Sequence, residues 1–137
     1  MLILKSDVSK SSKLKGTSLV SLCKLSVNKS SRENIARFSA FVNSQTSEVS
    51  SVFLNKPEAY FHASDMLIFL QGLVGLLNKG THIELSIYGD EIINLVGRFI
   101  YDNRISDSEV ELHLELPPRL NEKHGEVDIV RFDSEGF

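Results

Sequence analysis

Few residues of this chain combine the type and the spacing that chemistry needs. Its four histidines, His62, His82, His113 and His124, are scattered, and no two stand at metal-ligand spacing within one predicted element. His82 and His113 fall on the polar sides of two alternating segments, HIELSI and VELHLE, which also carry Glu84, Glu111 and Glu115. If those segments pair as strands, imidazole and carboxylate meet as they would in a small hydrolase or a metal enzyme. Otherwise they are solvated strand faces, because a carboxyl works as a general acid only where a desolvated cleft lifts its pKa. The single cysteine, Cys23, sits in an apolar run with no basic partner near it in sequence, which predicts a buried thiol and excludes an internal disulfide. The glycines of Gly72–Leu77, GLVGLL, lack the Lys-Ser/Thr that a phosphate-binding loop requires. Two serines, Ser30 and Ser31, open a predicted helix together with Arg32, and Arg37 further along it is another candidate anion contact. Hydroxyl, helix dipole and guanidinium together could hold a small anion, although a simple helix cap uses the same serines. Ser64 stands before a second helix in a cap-like place, which reads as a plain N-cap. No metal site and no cofactor are expected.

The elements that position these residues follow from hydrophobic periodicity. Residues 5–18 are rich in Lys and Ser, so residues 1–18 read as an N-terminal arm. Leu19–Val27 reads as a first strand. Ser30 lies three positions before Glu33, the capping-box spacing, and Ile35, Phe38 and Val42 recur at helical spacing after it. Val49–Leu54 reads as a strand, Asn55-Lys56-Pro57-Glu58 as a hairpin turn and Ala59–His62 as its short return strand. Met66–Leu77 is a helix with almost every position apolar or glycine, which requires cover on several faces or a partner. Lys79-Gly80 stops it. His82–Tyr88 alternates as a strand, and Gly89-Asp90-Glu91 opens a helix striped by Ile92, Leu95, Val96, Phe99 and Ile100. Glu109–Leu116 is the cleanest strand, ended by Pro117-Pro118, and Val127–Phe132 offers one more short one. Pairs of strands interrupted by helices, each strand with one polar side, predict an α+β open-faced sandwich: helices on one face of an antiparallel sheet.

The order β-α-β-β-α-β-α, together with Leu70-Gln71 and Leu73, the Lys79-Gly80 stop, the Ile83–Ile87 strand and the Gly89-Asp90-Glu91 turn, resembles the histidine-containing phosphocarrier protein family, HPr. The resemblance spans about Leu22 to Arg104 and implies an HPr-like domain at 19–116, to which Glu109–Leu116 adds a C-terminal strand, followed by a polar extension at 117–137. In that family a histidine at the start of the first helix takes a phosphoryl group beside an arginine two residues on. Here Ala36-Arg37 matches, but Ile35 stands where the resemblance places the histidine, and Phe38 replaces the usual proline. Isoleucine has no ring nitrogen to accept phosphorus, so phosphohistidine transfer is not expected. The family also uses a regulatory serine at the start of the second helix; counted back from Leu70-Gln71 it aligns with Met66, and Ser64, two residues before it, is the residue that the resemblance offers for regulatory phosphorylation.

The expected function is therefore a non-catalytic regulatory or protein-interaction domain. Its partner, or a second copy, would dock on the Met66–Leu77 helix through Met66, Leu67, Leu70 and Leu73, since the resemblance implies that the two helices near the family's active site form its docking surface. The alternative is a phosphoacceptor of the phosphotransferase type working through another residue, such as Ser64; a small hydrolase or metal enzyme built on His82 and His113 ranks third. The net charge of −3 gives no reason to expect nucleic acid or an anionic membrane as partner, despite six lysines against one aspartate in residues 1–29. No apolar run reaches the ~18–20 residues of a membrane span and MLILKSDV is too short for a signal peptide, so a cytoplasmic location is expected.

Overall fold

Period-two alternation does produce strands, but they pair differently from the expectation. The computed structural model describes residues 1–6, 14–44, 50–115 and 127–137. Its strands are β1 (Leu2–Ser6), β2 (Thr17–Ser18), β3 (Ser51–Asn55), β4 (His82–Ile87), β5 (Val110–Glu115) and β6 (Val127–Val130). Its helices are α1 (Leu19–Cys23), α2 (Ser31–Ser44), α3 (Met66–Asn78) and α4 (Glu91–Tyr101). The strands form one sheet in the order β2-β3-β4-β1-β5-β6, parallel throughout except for the β5–β6 pair. The protein is thus a mixed α/β fold, and its sheet is mostly parallel where an antiparallel one was expected. The reason lies in the connections: α2, α3 and α4 each return the chain to the start of the next strand, as a parallel crossover requires.

Register aligns the apolar side chains into rows. Val52, Ile83, Leu2 and Val110 form one row across β3, β4, β1 and β5, and Leu54, Leu85, Leu4 and Leu112 form the next. Seven of these eight are buried, Leu112 partly so, and all join one core with residues from every helix. Each such aliphatic side chain contributes about 1.5–3 kcal/mol relative to exposure. Intervening positions, Ile3, Lys5, Phe53, Glu84, Ser86, Glu111 and His113, lie on the opposite side of the pleat. Because the helices contribute to a core on only one side, these parallel strands alternate, a pattern more usual in antiparallel sheets.

Three further expectations change. Within the expected N-terminal arm, whose residues 7–13 lie outside the described residues, Leu2–Ser6 is a central strand, because Leu2 and Leu4 bury completely between the aliphatic rows of β4 and β5, and Thr17–Ser18 forms an edge strand. Leu19–Val27 is not a strand. Ser18 accepts the Val20 N–H, α1 follows, and Lys24 ends it in the left-handed conformation (φ 55°). Spacing of Leu19 and Cys23 by four residues serves a helix as well as a strand. Finally, Ala59–His62 is no return strand: Pro57–Ala59 and Ala63–Asp65 are 3-10 turns that carry the chain from β3 over the sheet edge into α3. Residues 117–126 of the polar extension, and Leu116, lie outside the described residues.

Helix α3 is covered on most sides. Met66, Phe69, Leu70, Leu73, Leu76 and Leu77 are buried. Phe69 stacks on Phe61 at 4.6 Å between ring centroids and meets the Phe38 ring of α2 at 4.9 Å. Gly72 makes room for that ring, since a Cβ there would stand 3.2 Å from two Phe38 carbons. At its end, Gly80 takes φ +88° and the Thr81 N–H reaches back to the Leu76 carbonyl.

Candidate functional site

Parallel strands put all their carboxyl ends on one edge, and the segments leaving β3 and β4 turn there into α3 and α4. In such sheets this edge is the common place for a ligand or partner. Helix α2 also begins at this edge. Ser30 Oγ accepts the Glu33 N–H (3.1 Å), the hydroxyl half of the predicted capping box. Ser31 makes a different contact. Its Oγ accepts the His62 N–H at 2.7 Å and donates to Asp65 Oδ2 at 2.5 Å, joining the first turn of α2 to the loop that starts α3. An acceptor that is ionised makes this pair stronger than a neutral hydroxyl contact.

Asn34, one helical turn on, completes the junction. It is fully buried, and its amide is satisfied on both sides: Oδ1 accepts the Ser26 N–H (3.1 Å), while Nδ2 donates to the carbonyls of Ser26 (2.9 Å) and Tyr60 (3.0 Å). The sequence reading missed this residue. Its signal was an amide on the face shared by Ile35 and Phe38, where a polar group must find partners or cost stability.

These contacts wall a cleft of about 510 Å³ lined by Lys29, Ser30, Ser31, Glu58, His62 and Glu91, among others. Glu58 Oε1 accepts the Tyr88 N–H (3.4 Å), while Oε2 is buried with no hydrogen-bond partner among the described residues. The Lys56 ammonium stands over the Tyr88 ring at 4.4 Å. Ser64 is exposed on the 3-10 turn beside the cleft, and the residue at the α3 cap is Asp65, so Ser64 does not cap that helix.

The other sequence candidates fall elsewhere. Arg37 reaches the Lys24 carbonyl (3.3 Å) and lies 3.7 Å from Glu33, so it serves the end of α1, away from Ser30 and Ser31. Met66, Leu70 and Leu73 are at most 1% exposed and belong to the core; a docking surface cannot use them. Leu67, at 44%, is the one of the four that reaches solvent, and Ile68 beside it is exposed to 45%. Ile35 is buried in the core.

His82 and His113 do not meet. Strand β1 separates their strands, and the register that sets His113 against Lys5 and Lys5 against Ser86 leaves His82 four residues away, roughly 16 Å in all. Each pairs instead with the glutamate two residues off on its own strand, His82 with Glu84 (2.9 Å) and His113 with Glu111 (3.2 Å), and Arg131 also pairs with Glu111. Burial pushes the Glu84 carboxyl up, but the Lys5 ammonium at 2.8 Å, the His82 ring and the Lys15 N–H outweigh it and hold the carboxyl below the ordinary glutamate range. Burial raises the Cys23 thiol to about 12, which leaves it protonated and unreactive at neutral pH. No group of three metal-ligating side chains occurs among the described residues, and none of the described helices is long and apolar enough to cross a membrane.

Comparison with protein-family models, with curated protein sequences and with solved structures finds no match to this chain.

Proposed function

We propose that the protein is a non-catalytic recognition or regulatory module that docks a protein partner, or a second copy of itself, at the carboxyl edge of its sheet. The observation that carries this reading is the exposed aliphatic pair Leu67 and Ile68 at the start of α3, directly after cleft-lining Met66, with Val27 exposed on the same cleft. Adjacent exposed aliphatics beside a concave site favour contact with another surface. The polar groups of the junction are engaged with one another, Ser31 with Asp65 and His62, which suits a fixed docking face better than a reactive centre. The likeness to the HPr family supports the same reading through its missing histidine, since Ile35 takes that place and turns into the core. The parallel sheet departs from the antiparallel sandwich of that family, so the likeness supports the role only through the residues that match.

A second reading is favoured by one observation: Ser64 is exposed next to cleft-lining Ala63 and could accept a phosphoryl group in place of the absent histidine. Incubation with phosphoenolpyruvate and the general phosphotransferase enzyme, followed by intact mass measurement, separates the two. The recognition reading expects an unchanged mass of 15.3 kDa. Gain of one phosphoryl group that Ser64→Ala abolishes would replace it with the second. For docking itself, Leu67→Lys with Ile68→Lys should weaken capture of the native partner, or dissociate a self-assembled native protein in sedimentation, while the far-UV spectrum stays native. Capture or assembly unchanged by both charges would refute the surface.

A further inference from the structure

The loop Phe132–Phe137 is closed by its own hydrogen bonds. Asp133 Oδ1 accepts the N–H groups of Glu135 (2.9 Å) and Phe137 (3.0 Å), the Asp133 carbonyl accepts the Gly136 N–H (3.0 Å), and the Asp133 N–H donates to the Phe137 carbonyl (2.8 Å). Among the described residues, no hydrogen bond or ion pair joins this loop to α4, on which it rests. What seats it there is a glycine against a glycine. A Cβ on Gly97 would stand 2.5 Å from the Gly136 carbonyl oxygen, and a Cβ on Gly136 would overlap the Gly97 carbonyl. Phe132 completes the seat, its ring 3.7 Å from the same Gly97 Cβ position. A glycine inside a helix costs roughly 1 kcal/mol relative to alanine. At Gly97 that cost coincides with a place where a second backbone lies against α4.

Beside the contact is a cleft of about 610 Å³, chiefly apolar, whose walls come from both elements: Ile93, Arg98 and Tyr101 from α4, and Phe132, Glu135 and Phe137 from the loop. Tyr101 and Phe137 are both largely exposed at its sides. We propose that Phe132–Phe137 is a strap that opens and closes over α4 as a unit, independently of the sheet, and that the cleft exists only when the strap is closed. Opening preserves the hydrogen bonds inside the strap and gives up only packing, the condition for a low-cost local transition. A small apolar molecule in the cleft touches both walls and therefore binds the closed form alone, holding the strap shut.

The test is Gly97→Ala, which adds only a methyl against the Gly136 carbonyl, together with Gly136→Ala on the strap, which meets the Gly97 carbonyl and also strains its own backbone at φ +86°. Nuclear Overhauser contacts between the Phe132 ring and Gly97 should be present in the native protein and lost in Gly136→Ala. Order parameters of residues 132–137 should fall in that variant while core resonances stay in place. The probe 8-anilinonaphthalene-1-sulfonate should saturate one site on the native protein and bind each variant at least about tenfold more weakly. Persistence of the Phe132–Gly97 contact in Gly136→Ala, or loss of the sheet together with the strap, would overturn the proposal. So would probe affinity equal in native and variant proteins, or no saturable binding by the native protein.

Discussion

Removing the Ser31 hydroxyl tests the junction that forms the cleft. Ser31→Ala deletes one hydrogen bond to a carboxylate, Asp65 Oδ2, and one from a backbone amide, His62 N–H. A bond to a charged acceptor contributes about 1.5–3 kcal/mol and a neutral one about 1 kcal/mol, the latter reduced here because water can reach the His62 amide. The expected loss is about 2–3 kcal/mol. For a chain of 137 residues the unfolding entropy is about 0.29 kcal/mol/K near 60 °C, so Tm should fall by roughly 7–10 °C. Thermal unfolding followed by circular dichroism, with Ser30→Ala as comparison, gives the reading; loss of that ordinary cap should cost only about 1 kcal/mol. A double-mutant cycle with Asp65→Ala should return a coupling of about 1–2 kcal/mol. A Tm change of Ser31→Ala no larger than that of Ser30→Ala, together with zero coupling, would refute the bond between α2 and the α3 loop.

Other outcomes follow from burial and charge. Leu70→Glu places a carboxylate in the core and should unfold the protein, whereas Leu67→Lys should leave its circular dichroism spectrum and Tm nearly unchanged; equal effects would contradict the division of α3 into buried and exposed faces. Cys23 should resist iodoacetamide at pH 8 in the native protein and react after unfolding in urea, and rapid native alkylation would contradict its burial. Because the folded state holds the Glu84 carboxyl below its ordinary range, its ion pair with Lys5 stabilises the fold at neutral pH, and that contribution fades as pH falls below the ordinary glutamate pKa of about 4.3. Glu84→Gln should flatten this part of the acid unfolding curve; an unaltered curve would show that the carboxylate contributes nothing there.

Much of the middle of the chain was legible. Helices α2, α3 and α4 and strands β3, β4 and β5 follow from periodicity, and the Ser30 cap and Gly80 stop set their limits near where they occur. Strand β1 was not legible, because five residues beside a Lys/Ser-rich stretch carry too little pattern of their own. They are a strand only because β4 and β5 present matching aliphatic rows on both sides. Strand direction was hidden for a related reason. Glu84, Ser86, Glu111 and His113 give β4 and β5 a polar side, and that alternation looks the same whether neighbouring strands run parallel or antiparallel. In the site, Ser30 and Ser31 were visible as hydroxyls at a helix start, but the Ser31 partners Asp65 and His62 lie more than thirty residues away and are set by topology alone. The surplus of apolar residues in α3 pointed to a contact surface; the sheet, α2 and Phe61 absorb most of it and leave Leu67 and Ile68.

The cleft depends on a sheet whose carboxyl ends share one edge, with β1 at its centre. Cross-strand nuclear Overhauser contacts in a uniformly labelled sample measure this directly, because close Hα–Hα approach across strands marks non-hydrogen-bonded pairs of antiparallel ladders. Strong Hα–Hα contacts should be confined to the β5–β6 pair, while the backbone of Leu4 should contact both Leu85 and Leu112 in the parallel pattern. Hα–Hα contacts between β1 and β4, or a Leu2–Ser6 segment with no cross-strand contact at all, would contradict the sheet and remove the cleft with it.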